Sequence, residues 1–249
     1  MRIGMDGRYI YCIIDLEEDK PASNFGNIGI AESIVYTISY KDIAAAVSAI
    51  PFKHMESNLN DIMAHERVVE AARETRTVLP VRFGVILKNE DGIKKLLASS
   101  YKDYKAKLSK FRGKDEIGIK VLLSKANLKK IESLVEQSEE IRKIKHEMSA
   151  SEPGTTYFLK MRLEDAMKNE MMLRIDKMVG EINDSLAKAV VDRRLLKNDV
   201  GEIVLNAAYL VERSNIQVFD AKIKELKEKF EKEGMTLHRS GPWAPYSFC

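Results

Sequence analysis

The sequence predicts an α+β fold of two domains, the second a modified ferredoxin-like antiparallel sheet carrying an added helical hairpin. Three observations predict it. The chain has 249 residues and a hydrophobic share of 45%, enough to build real cores in one large or two small domains. A polar break, Phe111-Arg112-Gly113-Lys114, divides it into residues 1–112 and 113–249. In the second part the strand and helix signals run β-α-β-β-α-β once one extra helix is set aside, which is the split βαβ pattern of ferredoxin-like domains.

In the first part, Tyr9 to Ile14 is a short β-prone run, and Pro21 to Gly29 reads as an Asn- and Gly-rich loop. Ser33 to Tyr40 is a second strand of β-branched and aromatic residues. Asp42 is then placed to cap a short Ala-rich helix that stops before Pro51. Leu59 to Arg76 reads as a helix and Val78 to Leu87 as a third strand. Glu90 to about Lys110 reads as one helix, with Ile93, Leu96, Leu97, Tyr101, Tyr104 and Leu108 recurring at helical spacing.

In the second part, Ile117 to Leu123 is a strand and Asn127 to Met148 a charged amphipathic helix. After a turn at Ser149 to Gly154, Tyr157 to Lys188 is a long helix with an apolar stripe of Met172, Ile175, Val179, Ile182 and Leu186. These two helices are expected to pair as an antiparallel hairpin. Ala189 to Leu196 and Ile203 to Val211 are strands joined by the turn Asn198-Asp199-Val200-Gly201. Ser214 and Gln217 form a capping box for the next helix. Val218, Phe219, Ile223, Leu226 and Phe230 line its buried face, and Gly234 is its C-cap. Met235 to Arg239 is a last short strand.

The charges nearly cancel, 41 Lys+Arg against 38 Asp+Glu, so a nucleic acid or anionic membrane partner is not indicated. Two cysteines, Cys12 and Cys249, make no disulfide framework, which fits a reducing cytoplasm. No apolar run is long enough to span a bilayer. His65-Glu66-Arg67-Val68-Val69 has half of a zinc-protease motif but lacks the second His, and His54, His146 and His238 show no ligand spacing. Nothing assembles a nucleophile, a base and an orienting group. An enzyme is therefore not expected, nor a metal or other cofactor.

The tail Gly241-Pro242-Trp243-Ala244-Pro245-Tyr246-Ser247-Phe248 resembles the C-terminal signature of gas vesicle F/L proteins, Gly-Pro-Trp-Pro-Pro-Tyr-Ser-Phe, with Ala244 in place of a proline. Ala64-His65-Glu66-Arg67-Val68, Leu79-Pro80-Val81-Arg82-Phe83-Gly84, Pro153-Gly154-Thr155-Thr156-Tyr157-Phe158-Leu159 and Leu205-Asn206-Ala207-Ala208-Tyr209-Leu210-Val211 resemble the same family in the same order. The resemblance implies a non-enzymatic accessory protein of gas vesicle assembly. Its implied partners are the hydrophobic shell subunit, bound in chaperone-like fashion, and other accessory proteins, and its implied location is cytoplasmic and gas vesicle associated. The competing reading is a nucleic-acid-binding protein that presents its ferredoxin-like sheet to bases, against which stand the charge balance and the lack of an RRM-type aromatic motif.

Candidate structural or partner-binding residues follow. Glu66 is expected to pair near the core with Arg82, which with Phe83 lies on the strand after Pro80. Met171, Met172 and Met178, with Met161 and Met167, give the long helix an adaptable hydrophobic character, as core or as a face for an apolar client. Trp243, Tyr246 and Phe248 carry too much apolar area to stay in water. They are expected to pack on the protein's own body, Trp243 being the most buried.

Overall fold

The computed structural model describes residues 6–16, 25–52, 58–123, 133, 135–197, 203–232 and 235–249. The chain forms two compact units. One comprises Met1–Glu116 together with Pro242–Cys249, the other Ile117–Gly241. A division after residue 112 would keep the tail with the second half. The tail instead belongs with the first unit, where Ala244 joins the core and acidic side chains hold the tail backbone.

In the first unit β1 (Asp6–Asp15) is central. It pairs antiparallel with β3 (Ile43–Pro51), which pairs with β2 (Val35–Tyr40). On its other side lie β4 (Val78–Pro80) and β5 (Ile86–Leu87). Tyr9 to Ile14 are all fully buried, as expected of a strand covered on both faces. A bulge between Ile10 and Cys12 inserts one extra residue. Tyr9, Tyr11, Cys12 and Ile14 consequently all join the core with α1 (Leu59–Thr75).

The Ala-rich segment after Asp42 is a strand, not a helix. Tyr40 pairs with Ile43 across the two-residue turn Lys41-Asp42, and Lys41 takes φ +53°. Asp42 caps nothing. It accepts a hydrogen bond from the Tyr101 hydroxyl at 2.6 Å and pairs with Lys105 at 2.8 Å. Ala44, Ala45 and Ala46 are fully buried between two strands. Tertiary pairing thus overrides the high helix propensity of alanine.

The expected strand over 78–87 is interrupted. Val81 N–H still donates to Tyr11 O and Ile10 N–H to Val85 O, but Arg82-Phe83-Gly84 loops out between them, with Gly84 at φ +89°, a conformation natural to glycine. The expected helix from Glu90 also breaks, at Ser100 (φ −106°, ψ 12°), into α2 (Glu90–Ser99) and α3 (Tyr101–Phe111). Asn89 caps α2 by accepting from Gly92 N–H at 2.9 Å.

The second unit is a four-stranded sheet ordered β7-β8-β6-β9, built from β6 (Lys114–Leu122), β7 (Val190–Leu195), β8 (Ile203–Glu212) and β9 (Thr236–Trp243). This is the ferredoxin-like order, with the first and third strands of the unit in the middle. β7 and β8 form an antiparallel hairpin. Between β6 and β7 stand α4 (Glu139–Ser149) and α5 (Pro153–Leu186), packed together as the added hairpin. Ser138 caps α4 through Ile141 N–H. With 34 residues, α5 runs for roughly 50 Å at 1.5 Å per residue.

Alternate residues of β6 and β8, among them Ile117, Ile119, Leu205 and Tyr209, meet Ile182 and Leu186 of α5 and Phe219, Ile223 and Phe230 of α6 (Ile216–Lys232) in one core. Three details differ from expectation. Ser214 lies in a 3-10 turn, Arg213–Asn215, ahead of the helix rather than in a capping box. Val218 is exposed, one step outside the stripe that Phe219 begins. β9 continues past Arg239 into Gly-Pro-Trp. The expected helix start at Asn127, the turn at 198–201, the C-cap at Gly234, residues 21–24 of the early loop, and His54 lie outside the described residues.

Candidate partner-binding site

Two carboxylates of the first unit hold the tail. Glu70 on α1 accepts the Ala244 backbone N–H at 3.2 Å, while Arg73 holds it at 2.7 Å and itself pairs with the buried Asp115 at 2.9 Å. Glu116 on β6 accepts both the backbone N–H (2.8 Å) and the hydroxyl (2.6 Å) of Ser247. Hydrogen bonds to an ionised acceptor are about twice as strong as neutral ones. The chain makes a 3-10 turn, Tyr246–Phe248, around the second anchor, and Phe248 is only 2% exposed, with the Lys110 ammonium 5.9 Å from its ring centroid. The order of burial in the tail reverses expectation: Ala244 and Phe248 are buried, whereas Trp243 remains 48% exposed. The last residues of β9 lead directly into the anchored turn, and it is the small Ala244 that enters the core.

Beside the tail opens a cavity of about 610 Å³. α1 contributes Met63, Glu66, Arg67 and Glu70 at helical spacing of three and four, the tail contributes Trp243 and Tyr246, and β6 contributes Glu116. This face adjoins the buried stripe of α1, Ala64, His65, Val68, Val69 and Ala72. Glu66 therefore points outward and is exposed, and the looped-out Arg82 is exposed as well. No ion pair joins them among the described residues, so the expected Glu66–Arg82 pair is absent.

His65 takes the inward place instead. The Tyr9 hydroxyl accepts from Gly84 N–H at 3.1 Å and shares a 2.8 Å hydrogen bond with His65 Nδ1. His65 Nε2 makes no hydrogen bond of standard geometry among the described residues. Burial lowers the His65 pKa to about 4, the Val81 backbone opposing it slightly. The imidazole lies 5.9 Å from Phe83 and 6.5 Å from Tyr246 between ring centroids. Phe83 is thus half-buried in an aromatic cluster with Tyr9 and His65 that backs the Tyr246 wall of the cavity. Burial raises the Tyr246 hydroxyl pKa, with added contributions from Cys12, Glu66 and Glu70.

A second surface lies on α5. Its inner face packs through Leu163, Ala166, Met167, Met171, Ile175, Met178 and Ile182. Met178 is 3% exposed and Met171 half-buried, whereas Met172, expected in the apolar stripe, is 63% exposed. Met172 follows Met171 by one residue, about 100° around the helix, and so leaves the core face. With it, Tyr157, Phe158, Met161 and Leu173 are exposed.

Sequence reasoning did not single out Met63, Glu70 or Glu116 as site residues, and marked Ala244 only as a departure from the tail signature. The spacing of Met63, Glu66 and Glu70 on one helix was a visible signal. The role of Glu116 was not, because it depends on a contact across 131 residues. Among the described residues, no group of three or more His, Cys, Asp or Glu is placed to hold a metal ion. No described helix is long and apolar enough to cross a membrane.

The family profile described as "Gas vesicle synthesis protein GvpL/GvpF" matches residues 7–249. Similar sequences include gas vesicle protein F of Haloferax mediterranei, 28% identical over 98% of this chain and 93% of that protein. Gas vesicle protein L1 of Halobacterium salinarum is 23% identical over 98% of this chain and 90% of its own length. The crystal structure of gas vesicle protein GvpF from Anabaena sp. superposes with a TM-score of 0.83 at 19% identity, covering 98% of both chains. That of GvpF from Microcystis aeruginosa gives 0.75, also at 19% identity, over 97% of this chain and 98% of the other. These two likenesses establish the fold, and the profile match over nearly the whole length establishes the kinship: the chain belongs to the GvpL/GvpF family of gas vesicle synthesis proteins.

Proposed function

We propose that, within the gas vesicle accessory role of its family, this chain binds the hydrophobic shell subunit in chaperone-like fashion through the outer face of α5. One observation carries the reading: Tyr157, Phe158, Met161, Met172 and Leu173 stand exposed on a helix whose other face packs against the core. Met161 and Met172 are eleven residues apart, about three turns, and therefore lie on nearly one line about 16 Å apart. The exposed side chains form two apolar patches, Tyr157-Phe158-Met161 and Met172-Leu173; such patches mark interaction surfaces, and methionine adapts to a flexible apolar client. The interaction makes the protein gas vesicle associated while assembly proceeds. The nucleic-acid reading gains no support. Tyr209, the aromatic residue of β6–β8, is buried and donates its hydroxyl hydrogen to Asn183, so those strands offer no exposed ring for base stacking.

The test is co-precipitation with the shell subunit, together with light scattering of that subunit as it is diluted from denaturant. The intact chain should retain the subunit and reduce scattering. A variant with Phe158→Ser, Met161→Ser, Met172→Ser and Leu173→Ser should lose both effects while keeping its circular dichroism. Undiminished retention by that variant would remove α5 as the binding face.

A further inference from the structure

The geometry points to a second binding surface, on the first unit: the cavity beside α1 and the tail receives a basic, apolar segment of a partner protein. A lysine or arginine of that segment enters against Glu66, and its apolar neighbours rest on Met63, Trp243 and Tyr246. These three large side chains are 52%, 48% and 38% exposed, and they converge on one cavity. Its walls are set in advance. Glu70 and Glu116 pin the tail backbone, and His65 stands behind the Tyr246 ring. A preformed site loses little entropy on binding.

Charge chooses the occupant. Three carboxylates, Glu66, Glu70 and Glu116, face one guanidinium, that of Arg67. Glu70 is engaged with Arg73 and Ala244, and Glu116 with Ser247. Glu66 has no hydrogen bond or ion pair among the described residues. A cation entering here meets an unengaged carboxylate in a cavity walled by an indole and a phenol ring, which combines a charge-assisted hydrogen bond with cation–π attraction. A purely apolar occupant would desolvate Glu66 without compensation, and an acidic one would be repelled by that unengaged carboxylate. This surface is separate from the α5 face and stands or falls independently of it.

Trp243 is the chain's single tryptophan and reports on the site directly. Two short synthetic peptides, one alternating Lys and Leu and the other Glu and Leu, are titrated into the full chain while its emission is recorded. The Lys/Leu peptide should bind and shift the emission to the blue, and the Glu/Leu peptide should not. Glu66→Gln should weaken Lys/Leu binding about two- to fivefold, the worth of one partly exposed ion pair. Arg67→Gln should strengthen it by a similar factor, and Met161→Ser with Met172→Ser should leave it unchanged. Equal binding of the two peptides, an unmoved Trp243 emission, or an affinity insensitive to both Glu66→Gln and Arg67→Gln would overturn the proposal.

Discussion

Replacing Phe248 by alanine measures how firmly the tail is built into the first unit. The ring is 2% exposed and sits at the end of the turn that begins at Tyr246. A buried Phe→Ala change in a core costs about 3–5 kcal/mol, part from lost transfer free energy and part from the cavity left behind. Release of the whole tail segment would limit that cost, since it leaves no cavity. Opposing release are the hydrogen bonds from Ala244 to Glu70 and from Ser247 to Glu116, worth about 1.5–3 kcal/mol each as bonds to charged groups. The anchors therefore hold, and the loss should register near 3 kcal/mol. For a chain of this size that corresponds to about 6–12 °C in melting temperature. The assay is thermal unfolding followed by circular dichroism, with Trp243 emission recorded on the folded protein. Half-exposed in the intact protein, Trp243 should emit between the buried and aqueous limits and move toward the aqueous limit in the variant. An unchanged melting temperature together with unchanged emission would refute a docked Phe248.

Two further predictions concern charge. Arg73→Ala removes the Arg73 ion pair from Asp115, which is 3% exposed at its side chain, and should cost about 3–5 kcal/mol. Arg82→Ala, on an exposed loop, should change stability by no more than about 1 kcal/mol. Chemical denaturation of both variants checks the contrast, and equal losses would contradict these placements. His65 has a folded pKa of about 4 against 6.5 when free. Between these values the unfolded chain binds more protons than the folded one, so stability rises with pH across that window and is lost as pH falls from about 6.5 toward 4. The full linkage amounts to about 3 kcal/mol. Urea titrations from pH 4 to 7 should show this slope, and His65→Phe should flatten it. A slope that survives the substitution would assign it to other groups.

What the sequence made legible, and what it did not, follows from the range of the forces involved. The βαββαβ order of the second unit was readable because each strand and helix there carries its own periodicity, as with Phe219, Ile223, Leu226 and Phe230 on α6. The helix expected at Ala44–Ala46 failed because local propensity was set against pairing on both edges, and the buried alanines fit a strand crowded by its neighbours. Glu66 and its neighbour His65 both lie beside the apolar line of α1, and it is His65, its Nδ1 bonded to Tyr9, that takes the buried place while Glu66 faces outward. The tail was recognised by its resemblance to the family signature, which does not reveal that Glu70 and Glu116 anchor it.

Ala244 shows how a departure from the family signature is absorbed. The signature has proline there, which would stiffen the tail but has no N–H. In this chain the Ala244 N–H is bonded to Glu70, and the methyl group is fully buried against the α1 core. A hydrogen bond to a charged acceptor contributes about 1.5–3 kcal/mol, while the loss of unfolded-state freedom on introducing proline contributes about 0.4–1 kcal/mol. The bond outweighs the missing stiffness. Glu70 is shared between this N–H and Arg73, which also holds Asp115, so one of the tail's two anchors and the Arg73–Asp115 pair share a carboxylate. A change at Glu70 acts on both at once, whereas a change at Glu66, one turn earlier and bound to neither, acts on the cavity alone.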